Sequence, residues 1–416
     1  MQPEMSGSDR SNMPFDLRLS RRGFLRAAGA GAGVVALGPL LAACAPESVP
    51  APFQGGAAGV VNFANWPLYI DKGTENGRAT IPSLREFERR TGTQVNYRPV
   101  VTDGEAFFQQ VQPALAAGEP TGWDIMVITN GQTLTKLINL GYLLELPSGM
   151  RPNFDANAGV TVKNPAYDPE NRYTMAWQSG ITGFAYNRLL TGRDLTSTQD
   201  LFSNEFAGKV GMFGDPVDLP NFALLAAGSN PEEATPDEWM AAADLLRTQR
   251  ADGIVNDSYR QNYVSALTNG DVAVSMAWSG DIFQSNAKAA ANGGTQLTFV
   301  VPDEGALIWT DVMCVPRGAQ HTVDAISLMD FVYDPQIAAQ IASYLNYITP
   351  VPGARDVLQA QAAEASGAER DALLLTATSP LVFPSATDQE KLHSYCVLDT
   401  DEAIAEWNDV FGEFYS

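Results

Sequence analysis

The chain has 416 residues, 45% of them hydrophobic and 18% charged, which excludes a disordered or collagen-like polypeptide and implies one to three packed domains. Asp and Glu number 48 against 26 Lys and Arg, a formal net charge of -22, and no basic run follows residue 26, so nucleic acid is not an expected partner. His321, His393, Cys44, Cys314 and Cys396 are the whole supply of imidazoles and thiols; this excludes a His/Cys-rich zinc or iron–sulfur centre, and no cofactor is expected.

At the start of the chain, Ser20-Arg21-Arg22-Gly23-Phe24-Leu25-Arg26 sets an arginine pair before an apolar stretch from Ala27 to Leu41, the layout of a twin-arginine export signal. The stretch is shorter than the ~20 residues of a permanent bilayer helix, and its glycines and Pro39 weaken it further. A buried apolar helix is the alternative. Leu41-Ala42-Ala43-Cys44 resembles a bacterial lipobox, in which the Cys44 thiol takes a diacylglycerol before becoming the new N-terminus. Residues 1–43 are therefore expected to be a signal peptide. Residues 44–59, rich in Ala, Pro and Gly, should form a flexible tether to the outer face of the cytoplasmic membrane or the periplasmic space. Without residues 1–43 the chain keeps 21 basic and 45 acidic side chains, a net charge of -24. Cys314 and Cys396 remain, as one disulfide or as two separate buried thiols.

From Val60 onward, short apolar runs alternate with amphipathic segments, which predicts an α/β fold. Val60 to Ala64 is the first strand. Leu84, Phe87 and Thr91 share a helical face that Gly92 ends, before a strand over Thr93 to Tyr97. Asp124 to Ile128 is a further strand, and Leu134, Leu137 and Ile138 belong to a helix ended by Gly141. Gly183 to Asn187 crosses to a second lobe, where Lys209 to Phe213 reads as a strand. Thr235-Pro236-Asp237-Glu238 makes a capping box with proline at the first helical position, opening a helix to about Gln249. Strands are expected at Val272 to Trp278, Leu297 to Val301 and Asp311 to Val315, then helices at Ala325 to Tyr333 and Pro335 to Tyr344. A chain of this length exceeds a single core, so two lobes with a cleft between them are expected.

Several segments pair large aromatics with acids. Asn65-Trp66-Pro67-Leu68-Tyr69 follows the first strand, at the carboxyl end where open α/β sheets bind ligands; core packing of Trp66 is the alternative. In Ala277-Trp278-Ser279-Gly280-Asp281, where strand gives way to helix, Asp281 either serves a ligand or caps the helix. Trp309 and Asp311, two apart on a strand, share a face. Asp215-Pro216-Val217-Asp218 adds two acids that are equally ordinary turn chemistry. The repeated pairing of indole and carboxylate suits a flexible organic diammonium, with acids on the charged ends and ring faces along the methylenes. Cation–π contacts at about 0.5–2 kcal/mol and charge-assisted hydrogen bonds at about 1.5–3 kcal/mol are enough for micromolar affinity. An amino-acid binder would want an Arg for the α-carboxylate, and none lies in these stretches.

These residues together resemble the extracytoplasmic spermidine/putrescine-binding proteins of ABC importers. The resemblance is strongest through Leu267 to Val274, Ala277 to Asp281, Val301 to Ala306 and Trp309 to Val312, and resembles the putrescine-binding branch in particular. Asn65-Trp66 with Tyr69 is similar to the family's Asn-Trp-x-x-Tyr element, and Trp123 to Thr129 to its Asp-hydrophobic-Val-Pro-Ser segment, with Thr129 in the place of a ligand-contacting serine. The resemblance implies a type II, two-lobed, periplasmic-binding-protein-like fold with the ligand cleft between lobes. Residues 60–182 with 306–365 would form one lobe, and 183–305 with 366–416 the other. It also implies an aromatic box of Trp66, Tyr69, Trp278 and Trp309. Asp281 and Asp311 would receive ammonium groups from opposite sides, with Asp218 near the family's other acid. The implied partners are a polyamine and an ABC permease, with the protein itself a monomer. Gly131 stands where spermidine-binding relatives carry an aromatic, and Leu68 where a putrescine-binding relative carries an acid.

Two other functions remain open from the residues. One is a receptor for another small solute, an oligosaccharide or a different organic cation. The other is an exported hydrolase using Asp215 with Asp218 or Asp281 with Asp311 as acid and base. No Gly-x-Ser-x-Gly elbow, His-Glu-x-x-His motif or phosphate loop occurs, so no enzyme activity is expected.

Overall fold

The computed structural model describes residues 59–260, 262–398 and 400–415. The arginine pair, Cys44 and the tether up to residue 58 lie outside the described residues. In chain order the strands are β1 (Val60–Asn65), β2 (Gly73–Glu75), β3 (Arg78–Thr80), β4 (Gln94–Pro99), β5 (Ile125–Thr129), β6 (Thr174–Tyr186), β7 (Val210–Phe213), β8 (Val255–Tyr259), β9 (Val274–Trp278), β10 (Thr298–Val300), β11 (Ala306–Cys314) and β12 (Leu392–His393). All but the β2–β3 hairpin join one sheet, whose main path runs β4-β1-β5-β11-β6-β9-β7-β8.

Two parallel groups make up the ends of that path. β1 pairs in parallel with β4 and β5, and β7 pairs in parallel with β8 and β9. The long strands β6 and β11 run antiparallel between them. The later residues of β11 pair with β5 and the later residues of β6 with β9, so this central pair spans both groups. The architecture is the expected α/β, two-lobed periplasmic-binding-protein fold. All 13 residues of β6 are buried, as expected of a strand covered on both faces by helices.

Helix boundaries follow local chemistry. Pro82–Thr91 starts on a proline and ends at Gly92, whose φ of 77° is the left-handed conformation glycine adopts most readily. Pro236–Ala251 starts from the Thr235–Glu238 capping box. Two expectations need correction. β6 begins at Thr174, nine residues before the expected crossing at Gly183, and β11 begins at Ala306, five before Asp311. Gln178, Ser179, Gly180 and Thr182 break the apolar pattern of β6, yet close packing accounts for its two glycines. A Cβ at Gly180 would lie 2.2 Å from the Trp309 ring, and one at Gly183 would lie 2.3 Å from the Val300 carbonyl. Cys314 and Cys396 are separate, buried, free thiols, so of the two alternatives the structure takes the unpaired one.

A candidate ligand site at the ends of the parallel strands

The loop after β1, the end of β5, the turn after β7 and the turn after β9 all carry expected site residues, each at the carboxyl end of a parallel strand. At such ends the chain leaves the sheet and side chains are free to converge on a ligand. After β1, Asn65 shapes the loop: its Oδ1 accepts from the Trp66 N–H at 2.8 Å and its Nδ2 donates to the Tyr69 carbonyl at 3.2 Å. Trp66 is half-buried against the core, and Tyr69 is buried. Between them Leu68 is exposed, with a φ of 60°.

The acids are held by neutral donors. Asp311, buried on β11, accepts a hydrogen bond from the Thr129 hydroxyl on β5 at 2.6 Å. Tyr69 lies beside the same carboxylate, although its hydroxyl makes no full hydrogen bond. At Asp311 the ladder shifts: Asp311 pairs with Gln178 but Val312 with Ala176, leaving Trp177 as the extra residue of a bulge. Asp281, in the first turn of the helix Ser279–Asn292, accepts from Tyr263 at 2.8 Å and Tyr347 at 3.0 Å. Its carboxylate therefore serves the site's tyrosines rather than a helix cap. Asp218, buried at the start of the helix Asp218–Ala226, accepts from Thr182 at 2.7 Å, Tyr395 at 2.9 Å and Trp278 Nε1 at 2.9 Å. Asp215 takes the turn role instead, its Oδ1 accepting from the Val217 and Asp218 N–H groups at 2.9 and 2.7 Å.

The rings enclose these acids. Trp309 donates from Nε1 to the Thr182 hydroxyl at 3.0 Å and lies 5.5 Å from Tyr347, which lies 5.5 Å from Tyr69. Tyr347 packs so closely on Gly280 that a Cβ there would meet its ring at 2.5 Å. Trp278 is held by Phe213 at 4.8 Å and Tyr263 at 5.9 Å. Seven of the expected site residues, Tyr69, Thr129, Asp218, Trp278, Asp281, Trp309 and Asp311, are thus linked into one cluster through Thr182 and Tyr347, while Trp66 stands at the end of β1, packed against the core.

Burial shapes the electrostatics of this cluster. Burial, the largest cause, raises the pKa of Asp311 to about 6 against the hydrogen bond from Thr129. Burial likewise raises Asp281 and Asp218. Asp215 is pushed up by burial and by the neighbouring Asp218 carboxylate. Among the described residues, no Lys or Arg forms an ion pair with Asp218, Asp281 or Asp311. Buried carboxylates are costly unless a positive charge meets them. Trp66 Nε1, the Tyr69 hydroxyl and Gln178 Oε1 are also buried without a partner. The arrangement suits a cation brought in from outside, since it offers oxygen acceptors between ring faces.

Sequence reasoning missed Gln178, Thr182, Tyr263, Tyr347 and Tyr395. Thr182 and Gln178 lie inside the unrecognised half of β6, and Tyr347 follows a helix end. No local spacing marks Tyr263, Tyr347 or Tyr395.

The sequence profile of the bacterial extracellular solute-binding protein family matches residues 83–368. The chain belongs to that family. Among similar proteins, the putrescine/agmatine-binding protein of Pseudomonas aeruginosa is 30% identical over 301 residues, 69% of this chain and 77% of that protein. The putrescine-binding periplasmic protein PotF of Escherichia coli is 25% identical over 354 residues, 82% of this chain and 87% of its own. Solved structures agree in fold. The spermidine/putrescine ABC transporter substrate-binding protein PotD of Streptococcus pneumoniae has a TM-score of 0.68 at 20% identity, covering 85% of this chain and 98% of that one. The Tp0655 (TpPotD) lipoprotein of Treponema pallidum also reaches 0.68, at 18% identity, covering 86% and 99%. This solute-binding protein therefore shares its fold with a substrate-binding component of an ABC transporter, and its family's extracellular character agrees with the export expected from the arginine pair.

Proposed function

We propose that the protein is a lipid-anchored receptor that captures a polyamine of the putrescine/spermidine class and delivers it to the permease of an ABC transporter. The observation that carries this reading is the set of acids, Asp218 and Asp311 buried and Asp281 half-buried, flanked by rings and hydrogen-bonded by neutral donors alone. In this reading ammonium groups sit on Asp281 and Asp311, Asp218 supports from its side, and Trp66, Tyr69, Trp278 and Trp309 line the methylenes. Residues 60–182 with 306–365 and 183–305 with 366–416 act as the two lobes, hinged where β6 and β11 cross, and ligand contacts from both bias the closed state. No bond is made or broken, so the protein works as a carrier and not as an enzyme. Cys44 carries the lipid, and a monomer docks on the permease. Relatives named for putrescine and spermidine support the ligand class. A thermal-shift panel tests it: putrescine or spermidine should raise the melting temperature by mass action, while sugars and amino acids should not. A shift with a sugar and none with either amine would reject the reading.

A further inference from the structure

The segment Leu392 to Leu398 lies beyond residue 368, where the family match ends, yet it reaches the acid cluster. Its backbone is fixed on both sides of Tyr395. β12 pairs in parallel with Ala306 and Leu307 of β11. The Ser394 N–H donates to Glu232 at 2.6 Å and the Cys396 N–H to Asn221 Oδ1 at 2.7 Å. So anchored, Tyr395 is buried and its hydroxyl donates to Asp218 Oδ1 at 2.9 Å, while Asp215 and Asp311 are near enough to bear on it electrostatically. Its ring stands 3.8 Å from where a Cβ on Gly131 would lie. Gly131 precedes the helix Gln132–Asn139 with a φ of 125°, a conformation that favours glycine. Tyr395 therefore spans from the Asp218 helix to the turn after β5. Asp281 is bound separately, by Tyr263 and Tyr347. The Asp218 carboxylate already holds three side-chain donors, so a ligand reaching it must compete with Tyr395 for both space and acceptor.

We infer that Tyr395 closes the Asp218 end of the ligand site and limits ligand length, selecting short diamines of the putrescine class over triamines that carry an aminopropyl extension. The inference rests on the polyamine reading above. A ring that blocks a longer chain discriminates by shape, and one filled methylene position alone is worth about tenfold or more.

The test is calorimetric titration of the full mature chain, as wild type, Tyr395→Ala and Tyr395→Phe, with putrescine and with spermidine. Wild type should bind putrescine more tightly. Tyr395→Ala should move the ratio of the two dissociation constants toward spermidine by about tenfold or more, and Tyr395→Phe, which keeps the ring, should leave the ratio within about twofold. Should Tyr395→Ala fail to fold by circular dichroism, Tyr395→Leu carries the same expectation. A folded Ala or Leu variant with an unmoved ratio overturns the inference, as does a Phe variant that shifts as far as Ala. Wild type that binds neither amine overturns the polyamine reading and this inference together, whereas binding of both with an unmoved ratio overturns the role of Tyr395 alone.

Discussion

Asp311 concentrates the chemistry of the site in one side chain, being buried on a central strand, tied to Thr129 and flanked by Tyr69. Removing its charge should cost more than removing an exposed acid, because a cation bound there would be left without its counter-charge in a desolvated place. Asp311→Asn and Asp281→Asn should each weaken diamine binding at least about tenfold, read by titration calorimetry; unchanged affinity in both would remove the site assignment. The raised pKa also fixes a pH dependence. Burial lifts Asp311 from an ordinary 3.8 to about 6, so the folded ligand-free protein holds a proton there that the unfolded chain gives up. Its contribution to stability is full below the unfolded value and is lost as pH rises through about 6. An ammonium ligand needs the ionised form, so the melting-temperature gain from putrescine should grow between pH 5 and pH 7. A gain larger at pH 5 would contradict this sign. The site was partly legible at this scale. Trp66, Trp278 and Asp281 could be read because each lies at, or within three residues of, the end of a strand of regular apolar residues. Tyr263, Tyr347 and Tyr395 could not, since each reaches the cluster through tertiary packing that no local spacing encodes.

Among the elements, β6 shows why some of the fold stayed hidden. Its Gly180 is dictated by the Trp309 ring across the ladder and its Gly183 by the Val300 carbonyl, so the constraint lies on partner strands and not in the segment's own pattern. β1, β5 and β7 are short apolar runs and were readable within a residue or so of their ends. Gly180→Ala should force the Trp309 ring off its seat, costing about 1–3 kcal/mol by overpacking and weakening ligand binding with it; chemical denaturation and calorimetry read the two effects. A helix remote from the ring cluster provides the contrast. Thr235→Ala removes one half of the capping box of Pro236–Ala251 and should cost about 1 kcal/mol of stability while diamine affinity stays as in wild type. A loss of affinity there would show that the two regions are coupled in a way the hydrogen bonds do not account for.

For the molecule as a whole, charge and location work together. The net charge of -24 expected without residues 1–43 should raise the local concentration of cations around the molecule and speed the capture of a cationic ligand, an effect that salt screens. The association rate for a diamine should therefore fall with added sodium chloride, in stopped-flow fluorescence, more steeply than the dissociation rate rises. In the proposed reading the anchor is the lipidated Cys44. Cys44→Ala should release the protein from the membrane fraction, and continued membrane association would count against lipidation at that thiol. The two-lobed α/β class was legible from alternation and length. The continuous sheet that joins the lobes through β6 and β11 was not, because strand order is a property of pairing. In the proposed reading, a cluster of buried and half-buried acids flanked by aromatic rings holds a slender cation charged at both ends. Isothermal titration of the mature chain with putrescine, spermidine, a neutral oligosaccharide and an acidic amino acid tests it most directly: saturable heat from the amines alone is the predicted result, and saturable heat from the uncharged or anionic solute with none from either amine would contradict it.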